Sequence, residues 1–154
     1  MKWEHRMLQM AALTATWSKD PSTQVGAVIA DSSNRIVSQG YNGLPRGAVD
    51  REMPRGEKLR RTIHAEVNAV LFGGRAVAAC TLYCTHHPCA RCASVIAQAG
   101  IWRVVCYDRP LRPDWAEDIA SARDTFAEAG MPLVIVPAPE TPQSIWRDVC
   151  EQAR

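Results

Sequence analysis

From Cys80 onward the chain switches period at regular intervals, and this alternation restricts the available folds more than any other feature of the sequence. CTLYCT at 80–85, WRVVCY at 102–107 and PLVIVP at 132–137 are short, apolar and rich in β-branched or aromatic residues, as strands are. Between and after them, 89–99, 115–129 and 143–152 carry apolar residues at helical spacing. In the second of these, Trp115, Ile119, Ala122, Phe126 and Ala129 form one core-facing stripe that Gly130 terminates. Strands separated by helices imply right-handed crossovers. The expected fold is therefore α/β, a three-layer α/β/α sandwich around a mixed five-stranded sheet.

The N-terminal third completes that sheet. Trp3, Met7, Met10, Thr14 and Trp17 recur at steps of four and three, which predicts a helix with one buried stripe, stopped by Pro21. Its charges make it an amphipathic helix and not a signal peptide, and no run approaches membrane-spanning length, so a cytoplasmic location is expected. VGAVIA at 25–30 and the extended run 35–40, joined by turn chemistry at 31–34, predict a hairpin. Gly43, Pro45, Gly47, Pro54 and Gly56 make 42–61 a long loop running into a helix over about 62–72.

At 154 residues the chain fits one domain, 1–154. Its charged fraction of 22% with 47% apolar residues excludes a disordered class. A net charge of +2 is too small to hold a nucleic-acid polymer and suits a small anionic ligand bound by locally placed arginines. The six cysteines have no secretory context, so reduced thiols or metal ligands are expected in place of disulfides.

Two short pieces carry chemistry: His64-Ala65-Glu66 at one predicted helix start and Pro88-Cys89-Ala90-Arg91-Cys92 at the next. Alone, a Cys-x-x-Cys is equally a redox pair or half of a structural site, and a lone His-x-Glu means little. Together they form a set. Cys89 and Cys92 share a helix face, and a helix N-terminus favours the thiolates that bind zinc. His64, Cys89 and Cys92 as three ligands leave the fourth tetrahedral position open to water, as in catalytic zinc sites. Glu66, two residues from a ligand, is placed to move protons and not to bind metal. His-x-Glu followed by Pro-Cys-x-x-Cys is the signature of zinc deaminases that attack C4 of cytosine or C6 of adenine.

Over about residues 17–130 the sequence resembles the deoxycytidylate deaminases of the cytidine deaminase superfamily, through SKDPSTQVGAVI (18–29), GYNGLPRG (40–47), HAEVNA (64–69), LYCTHHPCARCA (82–93) and IAQAGIWRVV (96–105). The resemblance implies hydrolysis of dCMP to dUMP and ammonia, which feeds thymidylate synthesis, with one Zn²⁺ per subunit. It further implies Asn42 against the sugar, Lys19, Thr23 and Ala65 beside the nucleotide, a homohexamer, and dCTP or dTTP as effectors near Gly43, Arg46, Gly47 and Asp50. Arg46, Arg51, Arg55, Arg60 and Arg61 are candidates for effector phosphates, or equally a solvated charge run, since Asp50, Glu52 and Glu57 are interleaved. The loop 48–61 departs from the family's more acidic pattern. No cysteine precedes Cys80, so a second, structural zinc of the kind some phage relatives carry is not expected.

His86 and His87 precede the Pro-Cys motif, and His87 is the favoured candidate to line the pyrimidine pocket or support the metal ligands. Arg109 and Arg112, in DRPLRPD after a predicted strand, are candidates for the 5′-phosphate or a neighbouring subunit. Cys80, Cys84, Cys106 and Cys150 sit in apolar patterns and read as buried hydrophobes. The alternatives are a deaminase of C5-modified dCMP, cytidine, guanine or tRNA adenosine, or a zinc-stabilised binding module without catalysis.

Overall fold

The computed structural model describes residues 2–139. Helix α1 (Lys2–Ala15) leads into a hairpin of β1 (Gly26–Ala30) and β2 (Ile36–Tyr41). Two helices follow, α2 (Arg55–Arg61) and α3 (Ala65–Gly73), and then the alternating run β3 (Thr81–Cys84), α4 (Ala90–Gln98), β4 (Arg103–Asp108), α5 (Ala116–Glu128) and β5 (Leu133–Pro137). The strands form one mixed sheet in the order β2-β1-β3-β4-β5. β1 is antiparallel to both neighbours, whereas β3, β4 and β5 are parallel. The helix expected over 143–152, and Cys150, lie outside the described residues.

Both sheet faces are covered. Ala27, Ile29, Leu82, Cys84, Val104 and Cys106 point into a core shared with α3, α4 and α5. Val28, Ala30, Tyr83, Val105 and Tyr107, at the alternate strand positions, pack on Met7, Leu8 and Ala11 of α1. This is the expected α/β/α sandwich, and among the described residues no helix is long and apolar enough to cross a membrane.

Two glycines set how closely the helices approach. A Cβ on Gly26 would lie 2.0 Å from the Ala11 carbonyl oxygen, and one on Gly40 would lie 2.4 Å from the Ala69 nitrogen. Strand and helix backbones therefore touch on each face. That contact corrects the predicted stripe of α1. Met7, Leu8, Ala11, Thr14 and Ala15 are buried, while Trp3 and Trp17 are about half exposed and Met10 is also exposed. Where Gly26 meets α1 the close neighbours are Ala11 and Ala15, while Trp3 and Trp17 turn outward, and the helix ends at Ala15, well before Pro21.

The 42–61 segment also differs from expectation, because α2 forms inside it. No residue of α2 is buried, so no apolar period marked it. It is laced instead by Arg61–Glu57 and Lys58–Asp50 ion pairs at 3.4 and 3.0 Å. The following helix begins at Ala65 and not near Thr62, because Ile63 is drawn into a two-way backbone bridge with Gly43. In the α5 stripe Ile119, Ala122 and Phe126 are buried, whereas Trp115 and Ala129 at its ends are exposed.

Candidate active site

Two helix starts meet at one point. His64 is the N-cap of α3 and Cys89 the N-cap of α4, both with extended backbone that swings their side chains across the helix mouth. The Gly43–Ile63 bridge fixes the approach to His64, and the end of β3 leads through 85–88 to Cys89. Cys92, one turn into α4, completes the group: His64 Nδ1 lies 3.5 Å from Cys89 Sγ and 3.3 Å from Cys92 Sγ. The Cys92 backbone N–H donates to Cys89 Sγ at 3.5 Å.

These donors fit zinc. Zinc–sulfur bonds of about 2.3 Å and zinc–nitrogen bonds of about 2.0–2.1 Å place tetrahedral ligands about 3.5–3.8 Å apart. All three donor atoms lie within 4.8 Å of one another, and the Glu66 carboxylate stands outside that group. Two soft sulfurs with one imidazole nitrogen suit zinc and not a hard cation. The positive ends of α3 and α4 both face the sulfurs.

The protein's own groups already polarise the site. The Cys89 thiol is pulled well down, first by its hydrogen bond from Cys92, then by His64 and the Cys92 backbone N–H, against the effect of burial. Cys92 is pushed up by the same contact and by burial. His64 is raised by its contact with Cys89, against burial, and by the Glu66 charge. Glu66 is 3% exposed, and burial raises its carboxyl above the ordinary range while His64 and its own backbone N–H work the other way.

The sequence match is broad. Residues 1–108 match the family described as the cytidine and deoxycytidylate deaminase zinc-binding region. The chain belongs to this family. It is 45% identical over 140 residues to an uncharacterized deaminase in the luxG 3′ region of Aliivibrio fischeri, covering 88% of this chain and 95% of that protein. It is 36% identical to the deoxycytidylate deaminase of Mus musculus, covering 85% and 78%. Among solved structures, the dCMP deaminase of cyanophage S-TIM5 in complex with dCMP and dUMP superimposes with a TM-score of 0.73 at 25% identity, covering 88% of this chain and 97% of that one.

Around the family's zinc-binding group, the other candidates divide. Lys19, Asn42, Gly43 and Asp50 come together in a cleft of about 210 Å³, with Trp17, Tyr41, Lys58 and Thr62 on its walls. The Asn42 side chain is already engaged, accepting from Val25 N–H at 2.8 Å and donating to Thr23 O at 3.0 Å. It pins the end of β2 to the entry of β1. Thr23 is exposed and joins this network through its backbone. Ala65 is fully buried at the start of α3.

His87 is not free to meet a base through its nitrogens. Nδ1 bonds the Pro88 carbonyl at 2.8 Å, and Nε2 accepts from Arg123 Nε at 3.3 Å. His86 is the less engaged of the two, with Nδ1 on the Thr85 hydroxyl at 3.0 Å, and burial with the nearby Arg109 charge lowers it to about 4. Arg109 is held at the end of β4 by donating Nε to the Thr85 carbonyl at 3.0 Å, its guanidinium 5.9 Å from the Tyr107 ring. Arg112 is exposed and paired with Asp114 at 3.0 Å.

The candidate effector arginines are largely engaged. Arg46 stacks over the Phe72 ring at 5.7 Å, and neither it nor Gly47 lines the cleft. Arg55 pairs with Asp20, while Arg51 and Arg61 pair with Glu57. Cys80, Cys84 and Cys106 are buried as expected. Sequence reading missed Ser18, whose buried hydroxyl donates to the Asn42 carbonyl at 2.8 Å, and Asp118, which accepts the Ala90 N–H at 3.0 Å. Ser18 lies in the resembling stretch 18–29, but nothing local distinguished Asp118 from an ordinary first-turn acid.

Proposed function

We propose that this chain hydrolyses dCMP to dUMP and ammonia, with Glu66 as its proton-transfer residue and one zinc per subunit held by His64, Cys89 and Cys92. The observation that carries the reading is a buried carboxylate beside, but outside, a three-donor cluster whose spacings match a zinc ligand set. The named deoxycytidylate deaminases among its relatives, and the dCMP-bound cyanophage structure, point to the same substrate. Zinc in such a site supplies Lewis-acid activation of water near neutral pH.

The rest of the mechanism follows from the chain's own groups. Glu66 takes a proton from the attacking water as its oxygen bonds C4, and passes it to N3. When the C4–N4 bond breaks, Glu66 carries the second proton to the departing amine, which leaves as ammonia while C4 becomes a carbonyl. A carboxyl raised by burial suits this double role, since it must give up the proton as readily as it takes it.

Arg109, whose Nε donates to the Thr85 carbonyl just after β3, is the cation proposed first for the 5′-phosphate, with Arg112, paired to Asp114 in an exposed ion pair, as the second candidate. Lys19 and Asn42 are proposed for the sugar side, where the remaining Nδ2 hydrogen of Asn42 is available. A cytoplasmic homohexamer completes the proposal, with dCTP or dTTP at the Gly43, Asp50 and Lys58 wall of the cleft and the substrate's sugar at its Lys19 and Asn42 wall. An incoming triphosphate there has to displace Asp50 from Lys58. Sigmoidal kinetics that become hyperbolic on adding dCTP are expected.

The test is ammonia release and uracil formation from dCMP, CMP, deoxycytidine, C5-substituted dCMP and adenosine nucleotides, comparing native protein with Glu66→Gln. Turnover of dCMP that disappears in the variant supports the reading. No turnover of any substrate by the zinc-loaded native chain overturns it.

A further inference from the structure

We propose that α5 clamps the loop bearing Cys89, with Asp118 and Arg123 gripping the residues on either side of that ligand and so fixing where its sulfur meets zinc. The proposal rests on the zinc reading above.

On one side, Asp118 Oδ2 accepts the backbone N–H of Ala90 at 3.0 Å. Ala90 is the first residue of α4, and apart from this bond the helix mouth is capped by the Cys89 sulfur, a weak acceptor. A carboxylate there also complements the positive end of α4. On the other side, Arg123 Nε donates to His87 Nε2 at 3.3 Å, and His87 Nδ1 donates to the Pro88 carbonyl at 2.8 Å. The guanidinium has no acceptor and the carbonyl no donor, so the ring carries its proton on Nδ1 and a lone pair on Nε2. Losing Arg123 leaves the Pro88 carbonyl to keep the proton on Nδ1 but removes the bond that ties the ring to α5.

The residues before and after Cys89 are thus tied to one helix. That helix is anchored through Ile119, Ala122 and Phe126, and the last two share a core with Cys89 and Cys92. A displacement of α5 therefore reaches the ligand loop directly, whereas a rotation of the Cys89 side chain alone leaves its backbone in place. Asp118 and Arg123 are positioning residues, because neither touches the reacting atoms.

The test measures zinc affinity of the full chain by competition with a chromophoric chelator, together with melting temperatures with and without zinc. Asp118→Ala and Arg123→Ala are each expected to bind zinc about 10–100-fold more weakly, the usual cost of losing a partner that orients a ligand. Their zinc-loaded forms should lose more melting temperature than their metal-free forms. Asp118→Asn, whose amide oxygen still accepts the Ala90 N–H, should recover most of the affinity. Unchanged zinc affinity with equal melting losses in both forms overturns the clamp and leaves ordinary helix packing. If Asp118→Ala does not fold, Arg123→Ala, at an exposed position, decides alone. A native chain that binds no zinc overturns the metal reading itself, and with it the clamp.

Discussion

The helix junction at His64, Cys89 and Cys92 and the cleft around Asn42, Asp50 and Lys58 are neighbours, joined by a backbone bridge between Gly43 and Ile63, yet they are built differently. At the junction, two buried cysteines and a half-buried histidine are placed by helix ends that the core holds from behind. Along the α2 side of the cleft, partly exposed side chains hold each other through ion pairs over a helix with no buried residue. A site whose geometry is set by packing keeps its shape without ligand. One made of solvent-screened pairs can rearrange at little cost and so can take different occupants.

The strongest way to break that comparison is at the junction. Glu66→Gln keeps the shape of the side chain but removes its ability to take a proton, so kcat should fall about a hundred- to ten-thousand-fold. Zinc content and folding should be retained, since a buried charge is removed and no volume is lost. Loss of zinc in this variant would make Glu66 part of the metal scaffold and dissolve its separation from the three donors.

Next in size is a change far from the chemistry. Gly40→Ala forces a Cβ to within 2.5 Å of the Ala65 carbonyl and 2.4 Å of the Ala69 nitrogen, so α3 must shift off β2. A loss of about 1–3 kcal/mol is expected from such overpacking, measured by denaturant unfolding. Because α3 begins beside His64 and carries Glu66, zinc affinity should fall with it. A stable variant with native zinc affinity would show that the junction does not depend on the packing behind it.

Arg109→Ala comes third and sharpens the comparison at its edge. A hydrogen bond to a charged group contributes about 1.5 kcal/mol, which raises KM for dCMP roughly tenfold. Deoxycytidine, without a phosphate, should be unaffected. An equal effect on both substrates would assign Arg109 to holding the Thr85 turn, where its Nε already bonds.

The junction was readable because each part of it has a local signature. Pro88 before Cys89 marks a helix start, the three-residue Cys spacing puts both sulfurs on one face, and His-x-Glu separates ligand from proton carrier by two residues. The alternation after Cys80 similarly yields β3 to β5 to within a residue or so, because each element buries a periodic face. Where burial follows backbone contact in place of side-chain size, the pattern misleads: Trp3 and Trp17 look like core and are not, since Ala11 and Ala15 are what fit against Gly26. Helix α2 was hidden because it buries nothing, and Asp118 and Arg123 because they act on residues nearly thirty or more positions away.

The smallest expected effect tests the cleft. Lys58 bonds Asp50 at 3.0 Å, with about a quarter of the lysine side chain and two fifths of the aspartate exposed. Solvent screening and side-chain entropy leave such a pair worth less than about 1 kcal/mol, so Lys58→Ala should barely move the unfolding midpoint. Basal turnover of dCMP should also hold, because the zinc ligands and Glu66 depend on the core of α3 and α4 and not on α2. Any response of the rate to dCTP, by contrast, should weaken, since Lys58 is a cation that a triphosphate could take from Asp50. A large drop in stability or basal rate would mean that the ion-paired wall and the packed junction are one mechanical unit, coupled through Gly43 and Ile63, and the contrast between them would no longer describe the molecule.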